Sequence, residues 1–233
     1  MIHAHRNNPP PSLLEWNSQW SVDCKTTSCD KGWRKFSRSQ DYVLLKETLN
    51  DMYHNKCCFC EDKTTSVEVE HFFPKSKYKE KLFDYRNLHL ICSRCNRIKG
   101  QREAFNLIDP SNEDPEMHVF FRLSPEIESA TEKGKHTITS IRLNDENMKN
   151  LRQLKINNVK SHVKTYLVRL QGCHDVHSLD FLKKEIESFI FQIKSPKEEY
   201  SLMTKNIFLK MLENLSVIID KKMKLISDTS ASV

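Results

Sequence analysis

The stretch whose reading decides the fold is KCCFC, Lys56 to Cys60, taken together with ICSRCNRIKG, Ile91 to Gly100. Each holds a Cys-x-x-Cys pair, Cys57 with Cys60 and Cys92 with Cys95. Two residues between the cysteines let both sulfurs reach one ion ~2.3 Å away, and two such pairs complete a tetrahedral thiolate shell for Zn²⁺. Cys58 does not fit that spacing and reads as a packing residue. The chain between the pairs is longer than the ~15–20 residues of a simple zinc ribbon. Within it, Val67 to Glu70 alternates apolar and polar residues as a strand does, and Pro74 ends the run. Tyr85 to Cys92 reads as a second strand. Ser93 to Lys99 suits a short helix with Gly100 at its C-terminal stop. The expected order is strand, loop, strand, helix.

Outward from this unit, Ser39 to Tyr53 reads as a helix, capped by Ser39, that delivers the chain to the first cysteine pair. Residues 1–40 read as irregular, with Pro9, Pro10 and Pro11, the tryptophans Trp16, Trp20 and Trp33, and the loosely spaced Cys24 and Cys29. The tryptophans are expected to fill a core rather than stack on bases. His136 to Leu143 is expected to be a strand. From Asn144 the periodicity turns helical: one helix to Gly172, a second from Ser178 to Lys194 capped by Ser178, and a third from Glu198 to Ile226. Cys173 to His177 is ligand-rich but sits at a helix junction and reads as structural. The expected fold is α+β and predominantly helical. Its segments are an irregular N-terminal stretch with one helix (1–56), the cysteine-framed unit (57–110), a mixed connecting region (111–143), a helical bundle (144–226) and a loose tail (227–233).

The chain has 233 residues, 38% hydrophobic and 29% charged, which excludes a disordered class. No apolar run approaches the ~20 residues of a membrane helix, and the N-terminus has no apolar signal region. The expected location is therefore the cytoplasm, where eight cysteines are metal ligands or reduced thiols rather than disulfides. The net charge of +6 identifies no partner by itself. Its distribution says more. From His71 to Arg102 there are nine lysines and arginines against Glu80 and Asp84 alone, as a phosphate-binding surface requires.

The pieces CCFC, VEHFFPKSK, NLHLIC and CSRCNRIKG resemble the HNH endonuclease family, whose ββα-metal unit is often framed by two Cys-x-x-Cys pairs. The first motif histidine falls on His71, the middle asparagine on Asn87, and the third position on Asn96. By that resemblance His71 activates water, Glu70 and Asn96 hold a catalytic Mg²⁺ or Mn²⁺, and Asn87 bonds across the loop to orient His71. The residue types suit those roles. A neutral imidazole is a base near pH 7, and carboxylate and amide oxygens suit a hard cation. Four thiolates leave zinc no open position, so Cys57, Cys60, Cys92 and Cys95 would hold a structural ion. Lys75, Lys77, Arg97 and Lys99 are the candidate nucleic-acid contacts. One geometric difficulty is visible: neighbours in a regular strand point to opposite faces, so Glu70 and His71 reach one phosphate only if the strand twists or ends there.

PPPSLLEW, the form CxFCE, EHFFPKS, CNRIKG and ITSIRLNDENMKNLR further resemble the PtuB-like HNH proteins of Septu-type and retron-associated anti-phage systems. That resemblance implies an ABC/SMC-related ATPase partner, a retron reverse transcriptase with its DNA in some systems, and the C-terminal helices as a docking surface. DNA is the favoured substrate. Two other readings stay open: an RNA (tRNA) endonuclease using the same residues, and a zinc adaptor that binds nucleic acid or the ATPase without cutting.

Overall fold

The computed structural model describes residues 1, 3–23, 29–63, 66–102 and 104–230, and for 21–23, 29, 30 and 230 the backbone alone. Cys24 and the side chain of Cys29 lie outside the described residues. The chain divides into two units: Met1–Val119 with Glu128–Asn144, and Phe120–Ile127 with Asp145–Val233.

In the first unit the N-terminal residues are not irregular. Pro11 begins helix α1 (Pro11–Asp23), a position where its missing N–H is no loss. Helix α2 (Cys29–Phe36) follows, then α3 (Gln40–Tyr53). Ser39 has the extended backbone of an N-cap, but its hydroxyl bonds back to Phe36 O instead of capping α3. The rings of Trp33, Phe36 and Phe83 lie 5.3–5.8 Å apart, and Trp16 packs on Phe36 at 5.3 Å. The tryptophans thus build a core, as expected. Gly32 is required by this packing, since a Cβ there would come within 2.7 Å of the Trp20 ring.

Strands β1 (Val67–His71) and β2 (Leu88–Cys92) pair antiparallel, with Val67 opposite Cys92 and His71 opposite Leu88. β2 is shorter than expected because Tyr85–Asn87 forms a 3₁₀ turn, which Asp84 caps by accepting from the Arg86 N–H. Helix α4 (Ser93–Lys99) follows directly and ends at Gly100, whose φ of +53° suits glycine. The strand–loop–strand–helix order is therefore present.

β2 is buried along its whole length and carries His89 into the interior. Arg6 can only donate, so its approach at 3.2 Å makes His89 Nε2 the acceptor and leaves Nδ1–H to donate to the Tyr53 hydroxyl at 2.6 Å. Asp109 lies 3.7 Å from Nε2, but a neutral ring makes no ion pair with it. Burial, more than any neighbouring charge, lowers the His89 pKa to about 3. The unfolded chain binds a proton at His89 near pH 6.5 and the folded chain does not. Stability from this site is therefore complete above that pH and drains away toward about 3. At pH 5 the loss is about 2 kcal/mol. Denaturant titrations at pH 7 and pH 5 should show His89→Gln losing less stability than wild type by that amount. Equal losses would contradict the buried neutral state.

Strands β3 (Val119–Phe121) and β4 (Ile127–Ser129) form a second small sheet. The segment expected as a strand at 136–143 is instead the end of helix α5 (Glu132–Ile141). Its β-branched Thr137, Ile138, Thr139 and Ile141 mimic strand composition, but Thr131 caps the helix by accepting from the Gly134 N–H. Buried Thr137 then bonds to Lys133 O and to the Ile108 N–H. Tertiary contacts here override the local preference.

The second unit contains α6 (Glu146–Gly172), α7 (Val176–Lys194) and α8 (Ser201–Ser230). α7 is capped by Asp175, which accepts from the Ser178 N–H at 2.8 Å; Ser178 is the third helical residue and not the cap. α8 starts after Pro196, later than expected, and runs on into the expected tail. Leu179, Leu182, Ile186, Leu212 and Ile219 form its core, all fully buried. Among the described residues no helix is long and apolar enough to cross a membrane.

Candidate active site and metal centre

The two Cys-x-x-Cys loops converge. Cys57, Cys60, Cys92 and Cys95 are buried, their sulfurs all lie within 4.8 Å of one another, and those of Cys60 and Cys92 are 3.8 Å apart. A tetrahedral ion with bonds of ~2.3 Å sets its ligands ~3.8 Å apart, so the four thiols are positioned to bind a zinc ion. Burial opposes ionisation of Cys57, but S–H groups of Cys58, Cys60, Cys92 and Cys95 outweigh it and hold this thiol well below its usual pKa. Cys58 is pushed well up by burial and stays a neutral packing thiol. Its N–H bonds to Leu90 O at 2.9 Å, which fastens the first loop to β2. The Cys92 sulfur also accepts from the Cys95 N–H and so caps α4.

The register of β1 puts His71 at its last position, facing inward, with only 3% of its surface exposed. The Leu82 carbonyl can only accept, so the contact at 2.9 Å fixes the proton on His71 Nε2 and leaves Nδ1 with the lone pair. The Trp33 ring packs edge-on against the imidazole at 4.3 Å. Burial, assisted by the charges of Lys75 and Lys99 and opposed by Leu82 O, lowers the His71 pKa to about 4. This is below the ordinary histidine value assumed from sequence. The ring is neutral at pH 7 and free to take a proton, but a weak base until negative charge is brought beside it.

Asn87 is buried and bonds across the loop between the strands. Its Oδ1 accepts from the Phe73 N–H at 2.7 Å, and its Nδ2 donates to Phe73 O and Lys81 O, both at 3.1 Å. None of these bonds goes to His71. It holds the peptide next to Leu82, and the Leu82 carbonyl orients the ring.

Glu70 faces away from His71, as regular strand alternation requires; the burial of β1 alternates through to its end. It is 20% exposed, and its Oε1 accepts from Lys99 Nζ at 2.8 Å. Lys99 also donates to His71 O at 2.8 Å and is 1% exposed. It is a buried link between α4 and the end of β1 and not the surface lysine its place in the motif suggests. Asn96 donates through Nδ2 to Glu68 at 2.9 Å, leaving its Oδ1 as an acceptor. Ser93 donates to the other Glu68 oxygen, also at 2.9 Å. The structure therefore brings Glu70 to Lys99 and Asn96 to Glu68. Glu68 escaped the sequence reading, although the alternation Glu68-Val69-Glu70 places both carboxylates on one face. As donors, the Glu68 and Glu70 carboxylates and the Asn96 amide oxygen fit a hard divalent cation, which would share Glu70 with Lys99. Of the candidate nucleic-acid contacts, Lys77 and Arg97 are exposed, while Lys75 is half-buried with its ammonium 5.9 Å from the Trp33 ring centre.

Residues 56–102 match the HNH endonuclease family, so the two cysteine pairs, His71, Asn87 and Asn96 fall within one HNH domain. The chain is also similar to the Septu protein PtuB of Bacillus thuringiensis, at 30% identity over 151 residues. The aligned region takes in 62% of this chain and 55% of that protein, so the chain spans little more than half the length of this curated relative.

Proposed function

We propose, starting from this HNH domain, that the chain is a metal-dependent endonuclease that hydrolyses phosphodiester bonds of nucleic acid and serves as an effector of anti-phage defence. The observation that carries the reading is the state of His71. It is neutral, its Nε2 proton is committed to Leu82 O, and its Nδ1 lone pair remains to take a proton from water. The water oxygen then attacks phosphorus as the bond to the leaving oxygen breaks. A phosphodiester beside the ring brings the negative charge that raises its basicity at the moment of use.

Glu70 and Asn96 would hold the catalytic Mg²⁺ or Mn²⁺, which supplies Lewis-acid stabilisation of the charge that develops on the leaving oxygen. Lys99 holds Glu70 and the His71 carbonyl in register. Lys75, Lys77 and Arg97 contact flanking phosphates. The four cysteines hold a structural zinc ion. DNA is the favoured substrate, with RNA open to the same chemistry. The likeness to a Septu protein supports a defence role; an ABC/SMC-related ATPase as partner and, in retron-associated systems, a reverse transcriptase with its DNA are what the sequence resemblance implies.

Plasmid cleavage with and without added Mg²⁺, by wild type and Asn87→Ala, tests the reading. Wild type should cut only with the divalent ion. Asn87→Ala should cut about a hundred-fold more slowly, because the loop that aims His71 loses three hydrogen bonds. Cleavage that persists without added Mg²⁺, or an unchanged rate in a folded Asn87→Ala protein, would contradict it.

A further inference from the structure

Three aromatic side chains in the first unit form a cluster that neither the cysteine loops nor His71 uses. Phe73 lies 5.2 Å from Tyr78 and 5.2 Å from Phe105, and Tyr78 lies 6.1 Å from Phe105, between ring centres. Trp33, Phe36 and Phe83 at the centre of the tryptophan core are buried, but this cluster is more open. Phe105 is 65% exposed, and Phe73 and Tyr78 are half-buried. A lone exposed phenylalanine needs no explanation, whereas three touching rings on one open surface do.

The cluster is tied to the candidate active site in two ways. Phe73 follows His71 by two residues, and both its N–H and its C=O are bonded to the Asn87 side chain. Phe105 lines a cleft of about 290 Å³ together with Lys99, Arg102 and His136, and among the described residues no carboxylate lines it. Lys99 is the residue that holds Glu70 and the His71 carbonyl. On the other side Lys81 places its ammonium 4.4 Å from the Phe73 ring centre. Aromatic faces framed by cations suit an alternation of base and phosphate. In a duplex each base already stacks on its neighbours, so only an unpaired base has a face to offer.

We propose that Phe73, Tyr78 and Phe105 are a stacking platform for an unpaired nucleobase beside the scissile phosphate, so that this site takes a single-stranded segment of DNA or RNA. The sugar-phosphate chain then follows the cleft past the exposed Arg102. The inference rests on the nuclease reading for what happens to the phosphate, but not for the binding itself.

The test is binding of fluorescent single-stranded DNA, single-stranded RNA and a blunt duplex of the same sequence to the full zinc-loaded chain without added Mg²⁺, followed by cleavage of each in Mg²⁺. The proteins are wild type, Phe105→Ala and Phe105→Trp, with folding checked by thermal melts. Wild type should prefer a single strand to the duplex. Phe105→Ala should bind it roughly ten- to a hundred-fold more weakly, and Phe105→Trp should retain binding because its ring still stacks. Whichever single strand shows this pattern is the substrate source. The proposal is overturned if Phe105→Ala binds single strands like wild type, if it weakens duplex and single strand equally, or if wild type prefers duplex or binds none of the three. Cleavage that continues unchanged in Phe105→Ala would sink the platform and leave the nuclease reading standing. Phe105-sensitive binding with no cleavage of any substrate would do the reverse.

Discussion

His71→Ala should lower nucleic-acid cleavage by about 10²- to 10⁴-fold, the range that a positioned general base contributes. The alanine also opens a gap beside Trp33 and leaves the Leu82 carbonyl without its partner, so part of a loss in that variant is structural. His71→Gln separates the two effects. A glutamine amide can donate to Leu82 O but cannot accept a proton from water. Both variants should be inactive, and His71→Gln should melt closer to wild type than His71→Ala. Full activity in His71→Gln would remove the imidazole from the chemistry.

Cys92→Ala should unfold the first unit. A thiolate shell of this kind contributes about 10–16 kcal/mol to the folding of small zinc modules, against a total stability of roughly 5–15 kcal/mol for an ordinary domain. Cys92 closes the shell with Cys57, Cys60 and Cys95, and its sulfur also accepts from the Cys95 N–H at the start of α4. Its removal disturbs the metal shell and the seat of the helix that carries Asn96 and Lys99. Metal analysis should find about one zinc per wild-type chain and far less in Cys92→Ala, with a melting temperature lower by about 10 °C or more. Wild-type zinc content with an unchanged melt would show that the cysteines pack without holding an ion.

The parts of the site legible in sequence are those set by local constraints. Cysteine spacing announced the metal frame, and Ser93–Lys99 was read as a helix to its last residue because Gly100 stops it. Asn87 was expected to bond across the loop, and it does. What stayed hidden depends on where distant chain segments return. Lys99 is buried because α4 folds back over β1, which no local pattern announces. The pairing of Asn96 with Glu68 depends on the same return. The depressed pKa of His71 follows from its burial, and Trp33 of α2, a helix the proline-rich start concealed, packs against its ring. α5 was mistaken for a strand because the bonds that hold Thr137 come from Lys133, four residues earlier, and Ile108, far back in the chain.

The measurement that bears most directly on the account is cleavage of plasmid DNA and bulk tRNA in one tube with Mg²⁺, by wild type and by His71→Gln, each alone and with the ATPase proposed as partner. Loss of at least one substrate with wild type and of neither with His71→Gln is the predicted result. No cleavage by wild type even with the ATPase, or equal cleavage by both proteins, would contradict the central claim that His71 is the base of a phosphodiesterase site.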